Sequence, residues 1–251
     1  MLRFALPAGL LVLAAPAEAQ QLPYDLGETP AATGESEPDS GHPPWLQYAL
    51  LDRFEWGIAN GQDSYAWDFS ALLGGERNRL YLASSGEGVS SGRLDYAEFE
   101  ALYSRYVGGD VDLNFGLRYD LLPHPHRAYA ALGAQYDDDR LWVGAWTYLS
   151  NKSELSARLA GYYNLKLIGP LVLQPSWELD ANAADVPALG LGRGFSYAEL
   201  GLRLRYEIRE AFAPYVGLSW SRDLGRTARL DRAAGEDPES KSLVMGVRSA
   251  F

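Results

Sequence analysis

From Tyr48 to the C-terminal Phe251, apolar side chains recur at every second residue in segments of about ten, where an amphipathic helix would space them by three and four. The last segment, Leu243-Val244-Met245-Gly246-Val247-Arg248-Ser249-Ala250-Phe251, is mostly apolar at its odd positions and ends on an aromatic ring. The cleanest runs from Ala198 to Ile208, where Leu200, Leu202, Leu204, Tyr206 and Ile208 alternate with Glu199, Gly201, Arg203, Arg205 and Glu207. A soluble β-sandwich also alternates. Ten residues, however, is the length a tilted strand needs to cross a bilayer, and Trp and Tyr gather towards the segment ends, where interfacial girdles belong. The pattern therefore predicts an all-β fold, a transmembrane antiparallel up-and-down β-barrel with apolar residues facing lipid and polar residues lining the lumen.

Hydrophobic residues make up 47% and aromatics 12% of the chain, yet its mean hydropathy is slightly negative, which suits half-apolar strands better than membrane helices. Residues 1–19 read as a signal peptide: Arg3 opens it, Leu6 to Ala15 is the apolar middle, and Ala17-Glu18-Ala19 is an A-x-A cleavage site. That apolar run is too short to span a bilayer. Residues 20–47 lack periodicity and interleave Pro23, Pro30, Pro38, Pro43 and Pro44 with Gly, Ser, Thr and Glu, the composition of a disordered tail, which would lie in the periplasm. Residues 48–251 form the barrel. The chain has no cysteine, which excludes disulfides and thiolate chemistry, and its net charge of −11 argues against nucleic acid as a partner. The same acidity is suited to attracting cations.

Spacing predicts about twelve strands, near residues 48–58, 65–74, 78–86, 93–106, 111–121, 128–136, 140–149, 153–165, 170–180, 196–208, 213–223 and 241–251. Connections after the even strands are short. Those after the odd strands are expected to be mostly longer, notably Ala181–Phe195 and Leu224–Ser240, with Asn151-Lys152 an exception. That alternation is what an even-stranded barrel with both ends in the periplasm requires, and ten or fourteen strands would satisfy it too. The segment 128–136 alternates weakly, because Tyr129, Ala131 and Gly133 differ little from Ala130, Leu132 and Ala134.

The lumen face inferred from this register carries Arg53, Glu55, Asp68, Arg79, Glu98, Glu100, Asp112, Arg118, Asp120, Arg158, Glu178, Glu199, Arg203, Arg205 and Glu207. Charges in a narrow lumen must be paired or solvated, so one reading is a plug of salt bridges. The other is a cation path along Glu98, Glu100, Asp112 and Asp120. A soft or borderline ion prefers imidazole or sulfur ligands, and few are available. Met1 leaves with the signal peptide, Met245 falls on the lipid face, and the histidines are His42, His124 and His126. His124-Pro125-His126 sits in an expected outer loop, where two imidazoles can chelate or simply be solvated. An enzyme is not expected. A lipase needs a Ser–His pair at the interface, and the predicted strands hold no histidine. Asp120 near His124 is the one protease-like pairing. The glycines of Gly86-Glu87-Gly88 and Gly190-Leu191-Gly192-Arg193-Gly194 precede no helix, so they do not suggest a phosphate cradle.

Several ordered segments carry a resemblance. Gly74-Gly75-Glu76-Arg77-Asn78-Arg79-Leu80, Leu102-Tyr103-Ser104-Arg105, Arg118-Tyr119-Asp120, Ala130-Ala131-Leu132-Gly133 and Leu173-Gln174-Pro175 belong to it. So do Gly192-Arg193-Gly194, Ala198 through Ile208, Phe212-Ala213-Pro214-Tyr215-Val216-Gly217 and Ala233-Ala234-Gly235-Glu236-Asp237. In order and spacing they resemble the copper resistance protein B family over about residues 50–251. The resemblance implies a non-enzymatic, monomeric barrel in the bacterial outer membrane, surrounded by outer-membrane lipid and involved in copper homeostasis or resistance. Copper ions would then be handled only transiently, by the lumen carboxylates Glu98, Glu100, Asp112 and Asp120; His124 and His126 are metal candidates by their spacing alone, since the family typically has other loop residues there. A periplasmic multicopper oxidase is the partner such a role would involve. It also implies that the aromatic C-terminus is a signal for outer-membrane assembly. Members commonly carry a Met- and His-rich segment ahead of the barrel, whereas residues 20–47 hold one histidine and no methionine. The alternative is a plugged barrel that docks periplasmic partners and conducts nothing.

Overall fold

The structure, a computed structural model, describes residues 45–251 apart from 60, 61 and 210. The expected signal peptide (1–19) and most of the expected tail (20–44) lie outside the described residues. The strands are β1 (Leu46–Ala59), β2 (Ser64–Gly74), β3 (Asn78–Val89), β4 (Leu94–Gly108), β5 (Val111–Leu122), β6 (Arg127–Asp137), β7 (Leu141–Ser150), β8 (Leu155–Tyr163), β9 (Leu165–Lys166), β10 (Leu171–Asn182), β11 (Gly194–Tyr206), β12 (Phe212–Asp223) and β13 (Glu239–Ala250). Each pairs antiparallel with its neighbour, and β13 pairs with β1, so the sheet closes. Because β8 and the two-residue β9 are one stave broken at Asn164, the barrel has twelve staves. Closure leaves no sheet edge, which is what a sheet in lipid requires.

The polarity is inverted as the alternation demands. On β5, Leu117 is 67% exposed and Asn114 is 1% exposed. Lipid-side residues lie open on the outer wall while the polar positions are packed inside. Met245 lies on the outer wall, as its register predicts.

Three features differ from expectation. First, β1 opens at Leu46, so residues 46–47 belong to the barrel and not to the tail; the Gly74 N–H donates to the Trp45 carbonyl at 2.8 Å, tying the start of β1 to the end of β2. Second, β1 contains a bulge: Leu51 pairs with Phe69 and Arg53 with Asp68, and the register to β13 shifts between Leu51 and Phe54. A bulge inserts one residue, so Asp52 and Arg53 both reach the lumen cavity. Third, long outer connections are not general. Those at 90–93, 123–126 and 151–154 are four residues each, and only 183–193 and 224–238 are long. The longest contains a helix, α1 (Thr227–Ala234), closed by Gly235 at φ 84°, a left-handed turn that glycine adopts without steric cost.

The weak segment is a full strand, and its small residues have a packing reason. Tyr129, Ala131 and Gln135 of β6 are buried in the lumen, and a Cβ on Gly133 would collide with the indole of Trp146 on the paired strand β7. Leu102, Tyr129, Ala131, Trp146 and Tyr148 form an apolar cluster inside the barrel, flanked by Tyr81 and Trp142. One lumen wall is therefore an aromatic core rather than a polar surface, and that masked the alternation.

Candidate functional site

The lumen encloses a cavity of about 960 Å³. Its lining begins at Val186, Leu189 and Leu191 in the 183–193 connection and reaches Ala211, Ala250 and Phe251 at the opposite rim. The outer connection folds inward over the mouth: a 3-10 turn spans Pro187–Leu189, Val186 and Leu191 bridge each other, and Val186 is buried.

In the outer half of the lumen, five carboxyl groups face two guanidinium groups. The Arg118 guanidinium lies 2.6 Å from Glu98 and 2.7 Å from Asp120. That of Arg158 lies 2.9 Å from Glu98, 3.1 Å from Asp180 and 3.3 Å from Glu178. Glu100 accepts a hydrogen bond from the Tyr148 hydroxyl at 3.0 Å. Glu98 also accepts from Ser85 at 3.1 Å and from Tyr96. The register explains the convergence, since Glu98 pairs with Asp120 and Glu100 with Arg118 across β4 and β5. Arg158 then reaches over from β8. Arg118 is further backed by aromatic faces, 4.6 Å from the Tyr148 centroid and 5.2 Å from that of Tyr129, which favours a cation there.

Nearer the closing seam, Arg53 lies 2.5 Å from Asp68 and 3.4 Å from Glu199, and Arg203 is held at 2.8 Å by Glu55. Arg248 contacts Asp52 at 2.8 Å. These pairs join β1 to β2, β11 and β13, so they lock the seam where the chain's first and last strands meet.

The six candidate residues divide into three places. Glu98, Glu100 and Asp120 come together in the outer-half cluster. Asp112 is apart from it, paired with Arg79 and absent from the cavity lining. His124 and His126 sit in the 123–126 connection with ring centroids 4.4 Å apart, and the Nδ1 of His126 lies 2.7 Å from the Leu121 carbonyl oxygen. Asp120 is engaged by Arg118. Among the described residues, no group of three or more His, Cys, Asp or Glu side chains is placed to hold a metal ion.

Asp180, outside the six candidates, is legible in the sequence because it alternates with Leu179 and Ala181 at the end of its strand. Arg248 was equally legible on the last strand. Asp52 was not, because strict alternation places it on the lipid side and only the bulge turns it inward.

Outside the membrane-spanning segments two acids are held below the usual carboxylate range. Glu154, in the connection after β7, is held there first by hydrogen bonds from Arg127, at 2.8 and 3.2 Å, with Ser150 adding a third at 2.7 Å. Asp138, in the turn between β6 and β7, accepts the backbone N–H groups of Leu141 and Arg140 at 2.7 and 2.8 Å.

The profile of the family described as copper resistance protein B precursor (CopB) matches residues 45–251. A copper resistance protein B homolog from Pseudomonas syringae pv. tomato is 40% identical over 205 residues, covering 81% of this chain and 69% of that protein. Copper resistance protein B from Escherichia coli is 36% identical over 226 residues, covering 88% of this chain and 75% of that protein. Among solved structures, the NanC porin superposes with a TM-score of 0.54 at 13% identity, over 80% of this chain and 98% of that one. At that identity the likeness concerns the barrel fold alone.

Proposed function

The chain belongs to the copper resistance protein B family and is an outer-membrane β-barrel, and from that premise we propose that it serves copper tolerance by admitting copper ions to its lumen and handing them on without a tight site. The observation that carries the reading is the cavity lined from rim to rim, with four carboxyl groups on two guanidinium groups in its outer half and Glu100, on the Tyr148 hydroxyl, beside them. A surplus of carboxylates in a low-dielectric wall attracts and concentrates cations. Oxygen ligands suit harder ions better than copper, so copper would exchange rapidly on them, which favours passage over storage.

The carboxylates available to an ion are those not already saturated. Glu98 is held by two arginines, whereas Glu178 and Asp180 share the single guanidinium of Arg158, which also serves Glu98. Glu178 and Asp180 therefore join the candidate path, with Glu98 and Asp120 as its framework. The reading includes no catalytic step. It is supported by the placement of His126 against a backbone carbonyl and of Asp120 against Arg118. A periplasmic multicopper oxidase receiving the ion, and a monomeric barrel, complete the proposal.

The second reading, a plugged barrel that docks periplasmic partners, is favoured by the bridges across the lumen, such as Arg158 to Glu98 and Arg203 to Glu55. One experiment separates the two. Barrels carrying Glu178→Gln and Asp180→Asn are reconstituted in vesicles loaded with a copper-quenched dye. Passage predicts a several-fold slower copper influx with heat-modifiable gel migration retained. Influx equal to that of the unaltered barrel refutes the path, and no influx above protein-free vesicles in either case supports the plug.

A further inference from the structure

The outer wall holds a site that copper handling does not use. Leu200, Trp220 and Lys241 stand level across β11, β12 and β13 on the lipid-facing side, and Leu202, Leu218, Leu243 and Ile58 form the next row inward. Between these rows the wall is hollowed into a groove of about 660 Å³, a size typical of small-molecule sites. Both ends of the barrel chain, Leu46 and Ala250, lie at the periplasmic rim, so the β12–β13 connection and this groove lie at the outer-leaflet end.

The rim of the groove is basic. The Lys241 amine lies 2.6 Å from Glu239 Oε1, and the Arg222 guanidinium lies 3.9 Å from Glu239 Oε2. The Trp220 Nε1–H donates to the same carboxylate at 2.8 Å. Two cations thus share one anion, and the Lys241 side chain remains 72% exposed on a wall that faces lipid. Charges on a membrane wall are retained where they reach the interface and an anionic partner. In the connection between β12 and β13, Arg226 at the N-cap of α1 and Arg229 and Arg232 within it are exposed at a three-residue spacing; Arg226 is paired with Asp185 at 3.2 Å.

We propose that this groove binds a phosphorylated glycolipid of the outer leaflet, with an acyl chain laid along Leu200, Leu202, Leu218 and Leu243 and a headgroup phosphate on Lys241 and Arg222. The apolar floor and the cationic rim are arranged at the depths where such a lipid carries its chains and its phosphates. Lys241, Arg222 and Glu239 together carry one net positive charge, which a zwitterionic phospholipid would leave uncompensated.

Native mass spectrometry of the full-length barrel in detergent tests this, with bisphosphorylated lipid A as the probe. Dephosphorylated lipid A and phosphatidylglycerol are the comparisons. Each basic group near an anionic surface contributes about a fivefold gain in affinity, so Lys241→Gln with Arg222→Gln should weaken lipid A binding about 25-fold. Dephosphorylated lipid A should bind the unaltered barrel as weakly as lipid A binds the variant. Leu218→Trp, which fills the groove and leaves the charges intact, should also reduce binding. Equal retention of lipid A by the unaltered and doubly substituted barrels overturns the proposal, as does equal binding of phosphatidylglycerol. Should the double variant fail to show heat-modifiable migration, K241Q and R222Q singly carry the same test, each with about a fivefold loss.

Discussion

Glu98 and Glu178 lie on the same guanidinium, that of Arg158, yet removing the charge from each should have opposite consequences. Glu98 accepts from Arg118 at 2.6 Å and Arg158 at 2.9 Å, is almost fully buried, and takes further bonds from Ser85 and Tyr96. In Glu98→Gln the amide oxygen can still accept from one arginine, but the amide nitrogen then faces the donors of the other. A hydrogen bond to a charged group contributes about 1.5–3 kcal/mol, and breaking a buried pair by removing one partner costs about 3–5 kcal/mol. Arg118 keeps Asp120, and Arg158 keeps Glu178 and Asp180, which places the loss at the lower end, about 3 kcal/mol. That is about two decades in the folded-to-unfolded ratio. Glu178 is 32% exposed in its side chain and leaves Arg158 with two other partners when neutralised, so Glu178→Gln should cost less than about 1 kcal/mol. Urea titration of barrels folded into vesicles, followed by tryptophan fluorescence at neutral pH, measures both. A Glu178→Gln loss matching that of Glu98→Gln, or a neutral Glu98→Gln, would refute the division into framework and exchangeable carboxylates.

Two further outcomes follow from the packing and the outer connections. Gly133→Val forces a side chain against the Trp146 indole, so the temperature at which heat-modifiable migration is lost should fall, reflecting overpacking of about 1–3 kcal/mol; an unchanged transition would mean the aromatic wall is not close-packed. Glu154 is held below the usual carboxylate range in the folded protein. Its contribution is therefore complete above the unfolded glutamate value of about 4.3 and is lost as pH falls below it. The stability gap between the unaltered barrel and Glu154→Gln should narrow through that acid window, and a gap constant with pH would show that the Arg127 contact adds nothing.

The lumen charges illustrate how far reading along the strands can go. Every residue assigned to the lumen by alternation on β4, β5 and β11 points there, because a one-residue slip would turn a row of carboxylates and guanidinium groups into lipid. Which of those charges meet was not legible. Glu98 and Arg158 are 60 residues apart in sequence, and their contact depends on the barrel's curvature bringing β4 and β8 across the lumen. Helix α1 carried no outward sign in a loop read only as long.

The chain's alternation and strand length by themselves pointed to a closed membrane barrel, because lipid leaves no sheet edge unpaired, and the spacing of the turns put the count near twelve. Tertiary structure alone decided the interior. The bulge that turns Asp52 inward, the aromatic wall that fills the space over Gly133, and the sharing of two guanidinium groups among four carboxyls all depend on which strands face one another across the lumen. Local sequence specifies the face a residue occupies, but closure of the sheet selects its partners.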